Sequence, residues 1–152
     1  MEGTTVGRFL AFEIDSSIYA VEVERVEVVL EMIPVTRVPR APEHLRGVIN
    51  YRGQVIPVAD LRVRFGEGRT DLSKSPSIVV LQVQQGNDVV TLGILADAVR
   101  EVVDFDVDRI ERTAGFGKER LDGMIQGVYD NAGAFVVVLD IDKVFEDLGE
   151  EP

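Results

Sequence analysis

Gly47-Val48-Ile49-Asn50-Tyr51-Arg52-Gly53-Gln54-Val55-Ile56-Pro57-Val58-Ala59-Asp60-Leu61 reads as strand, tight turn, strand. Val48, Ile49 and Tyr51 are strand formers, and Val55, Ile56 and Val58 resume the strand after the turn. Arg52-Gly53 marks the turn, because glycine takes positive φ without steric cost. Pro57 brings no N–H, so the second strand is expected at a sheet edge or a bulge. The pattern returns at Gly127-Val128-Tyr129-Asp130-Asn131-Ala132-Gly133-Ala134-Phe135-Val136-Val137-Val138-Leu139-Asp140-Ile141. The two segments align without a gap. Gly47/Gly127, Val48/Val128, Gly53/Gly133, Val58/Val138 and Asp60/Asp140 are identical, and each segment ends in an Asp able to cap a helical turn. This predicts an internal duplication into two related β subdomains, since a solenoid needs at least three repeats.

Working outward, Arg8 to Ile14 places Leu10, Phe12 and Ile14 on one face, as in a half-buried strand. Asp15-Ser16-Ser17 turns the chain, and Ile18 to Val21 begins the return. Val23 to Val26 is expected as a short helical turn, followed by an extended Glu27 to Leu30. Pro34, Pro39 and Pro42 forbid helix interiors and bias their predecessors to extended geometry. Pro42 to Arg46 reads as one helical turn ended by Gly47. Asp60 to Phe65 reads as another short helical turn. Gly66 to Pro76 is the most loop-like stretch. Ser77 to Val83 is a β-branched, buried strand, turning at Gly86-Asn87-Asp88 into Val89 to Leu95. Arg100 to Phe105 is a further strand, and Val107 to Met124 is irregular. Ile141, Val144, Phe145 and Leu148 share a helical face, which predicts a C-terminal α-helix capped by Asp140 and stopped by Gly149. Ala20 to Val26 also echoes Gly93 to Val99. The fold expected is mostly β: two barrels of about five strands on one plan, in approximate halves 8–65 and 77–148, with room for strand exchange between them.

The 152 residues suffice for one domain or two small subdomains sharing a core. No apolar run approaches the ~18 residues of a membrane span, and Met1 to Thr5 resembles no signal peptide. The chain has no cysteine, which excludes disulfides and thiolate metal sites and fits a cytoplasmic protein. A net charge of −11 disfavours nucleic acid and anionic lipid as partners. Catalytic groupings are missing. His44 is the only histidine, so no triad can form. There is no phosphate-loop or dinucleotide motif. Asp104, Asp106 and Asp108 alternate as in a calcium loop, but Arg109 and Gly115 occupy the positions that need Gly and Glu. Neither an enzyme nor a cofactor is expected.

The segment Gly47 to Arg62, with its Asn-x-Arg-Gly turn and the Val55-Ile56-Pro57-Val58 that follows, resembles the signature of the bacterial chemotaxis coupling protein (CheW) family. The resemblance runs from Phe9 to Leu148 and includes Pro34 to Pro39 and Leu139 to Phe145. It implies two SH3-like five-stranded barrels with a hydrophobic seam. It also implies a non-catalytic adaptor, recruited to receptor arrays at the inner membrane without inserting into it. Its partners would be the cytoplasmic tip of chemoreceptors and the regulatory domain of the histidine kinase CheA. The domain also resembles that regulatory module, but no kinase core or phosphotransfer segment is present. By matching positions, the resemblance implies receptor binding for Val26, Gly47 and Arg52 and a barrel–barrel kinase contact for Phe116; the receptor-binding set expected is Val26, Gly47, Asn50, Arg52 and Gly53, with Asn50 also shaping the turn. One departure stands out. Many members carry an acid two residues after the Val26 position, paired with the motif arginine; this chain has Val28, leaving Glu24, Glu27 or Glu31 as substitutes. A small-molecule-binding β-barrel, or a scaffold in another kinase pathway, is the alternative reading.

Overall fold

A computed structural model describes residues 5–112 and 123–146. Among the described residues, ten strands carry the fold: β1 (Val6–Ile14), β2 (Ser17–Glu22), β3 (Val26–Leu30), β4 (Leu45–Tyr51), β5 (Gln54–Ala59), β6 (Ser77–Gln85), β7 (Asp88–Ala96), β8 (Ala98–Asp106), β9 (Ile125–Asn131) and β10 (Ala134–Leu139). Two one-turn helices, α1 (Leu61–Arg64) and α2 (Ile141–Val144), follow β5 and β10. Short 3-10 turns occupy Val23–Arg25, Leu72–Lys74 and Val107–Arg109.

The strands form two five-stranded sheets, in the orders β8-β1-β2-β10-β9 and β3-β6-β7-β5-β4. The orders become identical when β1 to β5 are matched with β6 to β10 in turn. Each sheet takes two strands from one repeat and three from the other. The sheets therefore do not divide into the halves 8–65 and 77–148: β1 and β2 sit beside β8 to β10, while β6 and β7 sit among β3 to β5. The repeats meet twice in each sheet, through the antiparallel pairs β1 with β8 and β3 with β6 and the parallel pairs β10 with β2 and β5 with β7. Each barrel is closed by an isolated bridge in the connection that leads into its edge hairpin, Thr36 to Val48 before β4–β5 in one and Glu111 to Val128 before β9–β10 in the other.

Side-chain alternation sorts the core into three compartments. Ile49, Ile56, Val58, Ile78, Val80 and Leu95 fill the barrel of the β3–β7 sheet. Phe9, Ala20, Phe105, Val136 and Val138 fill the other. The opposite faces of the central strands meet between the barrels, where Leu10, Phe12 and Ile14 pack with Val79, Leu81 and Val83. Tyr19 stacks between Phe12 and Phe65 at centroid distances of 6.0 and 5.7 Å, joining one sheet to the helix that follows the other. β1 is thus buried on both faces, not one: Phe9 and Ala11 are as covered as Leu10 and Phe12. Truncating a core phenylalanine such as Phe12 to Ala costs about 3–5 kcal/mol.

Three local expectations change. Pro57 lies in β5, an interior strand, yet its missing N–H costs nothing. Val48, directly opposite, turns its own N–H and C=O to Thr36, and the parallel pairing with β7 starts only at Val58. Pro42 to Arg46 is a single tight turn, Leu45 N–H to Pro42 C=O at 3.0 Å, and not a helical turn. The His44 carbonyl there accepts the Asp60 N–H, which commits the chain to β4 from Leu45. The C-terminal helix is only Ile141–Val144; Asp140 caps it from the Lys143 N–H, and Val144 and Phe145 are buried. Residues 147 and 148 lie outside the described part.

Candidate interaction surface

The β4–β5 tip is built by backbone chemistry first. Arg52 (φ 54°) and Gly53 (φ 82°) are both left-handed, the geometry of the two-residue turn whose twist matches paired strands. The Asn50 side-chain oxygen accepts the Gly53 N–H at 3.0 Å and locks the turn. Asp130, Ala132 and Gly133 repeat it, with the Asp130 carboxylate accepting the Gly133 N–H at 2.8 Å. A non-glycine residue in this conformation costs about 1–2 kcal/mol. Ala132 bears that strain as well, so it belongs to the turn and not to the arginine.

Arg52 stands exposed on this tip, its guanidinium carbon 5.1 Å from the Tyr51 ring centroid. No described carboxylate pairs with it. None of Glu24, Glu27 and Glu31 reaches it, and the Glu27 carboxylate instead accepts a hydrogen bond from the Gln82 side-chain amide. Val28, at the family's acid position, packs against the core of its own barrel, as does Tyr51. Val55, opposite Asn50 in the ladder, is 66% exposed and sets an apolar side chain beside the tip.

Gly47 and Val26 sit lower in the structure. Gly47 (φ +150°) is buried, and a Cβ there would overlap the Thr36 carbonyl of the closing bridge. Gly127 meets the Glu111 carbonyl in the same way. Val26 pairs with Leu81 and packs on the cluster between the barrels. Its neighbour Arg25 ties the turn before β3 to α2 through the Asp142 carboxylate, which also accepts the Gln84 N–H at 2.8 Å. That ion pair holds the Asp142 carboxyl below the usual carboxylate range and raises Arg25 further. Phe116, the expected kinase contact, lies outside the described residues.

Pattern reading missed two features. Asp60, fully buried, caps α1 through the Arg62 N–H and also accepts from Arg46 at 2.8 Å and from the Thr70 N–H and hydroxyl. Only its capping role was visible, because its other partners come from another strand and a loop. Phe135, the repeat counterpart of Val55, is 65% exposed beside a surface cleft of about 520 Å³ that includes Tyr129 and Arg109. Its place opposite Asp130 in the ladder was readable from the duplication. Among the described residues no group of three or more His, Cys, Asp or Glu is arranged to hold a metal, and no helix is long and apolar enough to cross a membrane.

A family model for the CheW-like domain matches residues 8–149. A chemotaxis protein CheW of Thermotoga maritima is 33% identical over 142 residues, covering 91% of this chain and 87% of its own length. The Klebsiella aerogenes chemotaxis protein CheW is 26% identical over 145 residues, covering 95% and 85%. Among solved structures, the scaffolding protein TtCheW of Thermoanaerobacter tengcongensis superposes with a TM-score of 0.82 at 27% identity, over 99% of this chain and 94% of that one.

Proposed function

The chain belongs to the CheW-like domain family, and on that premise we propose that it is a non-catalytic chemotaxis adaptor in the cytoplasm, coupling the tip of chemoreceptors to the histidine kinase CheA. The observation that carries this reading is the β4–β5 tip. It presents an exposed cation, steadied on Tyr51, unpaired among the described residues and placed beside the exposed Val55. A preorganised arginine next to an apolar side chain suits a carboxylate or backbone carbonyl on a receptor helix.

In this reading Arg52 and Val55 touch the receptor, Asn50 and Gly53 hold the tip, and Gly47 and Val26 shape the wall beneath it. Phe116 serves the kinase contact. Each contact is modest, and linkage within an array raises the effective affinity. The test is a pull-down of the full chain with a receptor cytoplasmic fragment and, separately, with the kinase regulatory domain. Arg52→Ala is expected to weaken receptor binding by roughly tenfold or more, the scale of a lost charge-assisted hydrogen bond, with thermal stability and kinase binding unchanged. Phe116→Ala should weaken the kinase arm alone. Wild-type protein that binds neither partner at micromolar concentration would sink the reading.

A further inference from the structure

Eight of the 16 Lys and Arg residues, but only four of the 27 Asp and Glu residues, fall between positions 37 and 74. One stretch of a chain with net charge −11 is therefore locally positive. The fold gathers part of it into two clefts that adjoin at Arg69. One, of about 200 Å³, is lined by Arg37, Arg40, Arg46 and Arg69 together with Val38, Pro42 and Glu43. The other, of about 350 Å³, adds Arg62 and Lys74.

Two of these cations already have structural work. Arg46 holds Asp60 and the Thr70 carbonyl, and Arg62 holds Asp97. Arg37, Arg40 and Arg69 are different: among the described residues no hydrogen bond or ion pair engages their side chains. Arg40 also stands exposed in a turn. It sits between Pro39 and Pro42 with its own φ at 65°, the left-handed region that a non-glycine residue enters at a small cost.

The duplication acts as an internal control. The fold builds the same hairpin and helix twice, and the counterparts of Arg46, Arg62 and Arg64 are Gln126, Asp142 and Val144. The architecture therefore does not require this concentration of positive charge.

We propose that the Arg37–Arg40–Arg69 cleft is a docking site for an acidic peptide segment of a partner protein, extended and carrying spaced Asp or Glu side chains. Arginine forks bind carboxylates in pairs, and clustered arginines are a recurrent means of holding acidic motifs. Val38 and Pro42, which share the lining, accept the apolar residues between the acids. Glu43, Asp71 and Asp97 interrupt the cations, which opposes a compact polyphosphate or a continuous phosphate backbone. The site stands apart from the receptor reading, because Val26, Asn50, Arg52 and Val55 do not line it.

The test is fluorescence anisotropy with the full chain and a labelled peptide of about twelve residues alternating Glu pairs with Leu. At low salt the peptide should bind, weakening steeply as NaCl rises past the Debye screening range. A peptide with Gln in place of every Glu should not bind. The triple variant Arg37→Gln, Arg40→Gln, Arg69→Gln should lose affinity by about tenfold or more with an unchanged thermal midpoint, since these side chains hold nothing in the fold. Arg8→Gln with Arg100→Gln, which removes cations paired with Asp104 and Glu13 on the other sheet, should bind as wild type does. The proposal is overturned if wild type fails to bind the Glu peptide, if the triple variant binds it equally, if the control variant loses as much, or if tripolyphosphate binds more tightly than the peptide.

Discussion

A methyl group on Gly47 would overlap the Thr36 carbonyl, the acceptor that closes the barrel against β4. The overlap cannot be relieved by rotating a side chain, because the obstacle is backbone. Gly47→Ala is expected to cost about 3 kcal/mol, a fall of roughly 6–12 °C in Tm for a chain of this size. In the proposed adaptor role, receptor binding would be lost with it through displacement of the hairpin. A variant that keeps its Tm yet loses receptor binding would instead make Gly47 a contact residue. Tyr19 gives a second measurement at this scale. Burial, then the charges of Glu67 and Asp15, push its phenol from 10.0 up to about 12. The neutral form is favoured in the folded state, so above pH 10 the unfolded chain releases this proton first and stability falls as pH rises towards 12. Absorbance titration of tyrosinate is clean because the chain has no tryptophan. Tyr19→Phe should delete the late step and flatten the alkaline stability loss. The sequence pattern at these positions was half legible. Gly47 was visible as a glycine at the head of a strand, but the carbonyl it must clear comes from a connection whose path no periodicity reveals.

At the scale of elements, the two short helices are anchored by the same kind of clamp with its charges exchanged. In one, Arg25 before β3 meets Asp142 on α2, and that carboxylate takes the Gln84 N–H at the end of β6. In the other, Asp97 before β8 meets Arg62 on α1, and the carboxylate takes the Asp15 N–H at the end of β1. Each clamp fixes a helix of one turn, too short to hold itself, onto the neighbouring barrel. Arg25→Asp alone or Asp142→Arg alone places like charges together, and each should destabilise by about 1 kcal/mol, a partly exposed pair being screened by solvent. The two together should regain at least half of the loss in urea denaturation; a fully additive double variant would show that the pair does not interact. The acid limb follows from the same contact. Asp142 is depressed in the folded state, so its contribution is complete above the unfolded carboxylate value near 4 and disappears as pH falls through the lower folded one. Asp142→Asn should unfold less steeply in acid. The helical caps at Asp60 and Asp140 were legible because a cap is a local signal. The clamps were not, since their members stand far apart in the chain and no short-range spacing links them.

For the whole molecule, the gapless hairpin match predicted a duplicated β architecture, and the sheets have identical strand orders once the repeats are superimposed. Which strands share a sheet could not be read the same way. Exchange leaves every strand's alternation, turn and cap as it would be in two separate barrels, and it changes only the long-range partner. One trace of it was present in the sequence: the continuous apolar runs of β6 and β7, which are buried on both faces because one face fills a barrel and the other fills the seam. The consequence is thermodynamic. Neither sheet can form from one repeat, and the seam cluster draws Leu10, Phe12 and Ile14 from one and Val79, Leu81 and Val83 from the other. Each barrel is built from strands of both repeats, so the chain passes between the barrels, and losing either one uncovers the apolar face between them. Unfolding is expected as a single transition: far-UV circular dichroism, which reports both sheets, and near-UV signal, which reports the Phe12–Tyr19–Phe65 stack and the Phe105–Tyr129 pair in the far barrel, should trace one urea curve. The calorimetric enthalpy should equal the van't Hoff value. Two resolved transitions would mean that the barrels hold themselves up separately, and that the parallel β2–β10 and β5–β7 pairs do not bind the repeats into one folding unit.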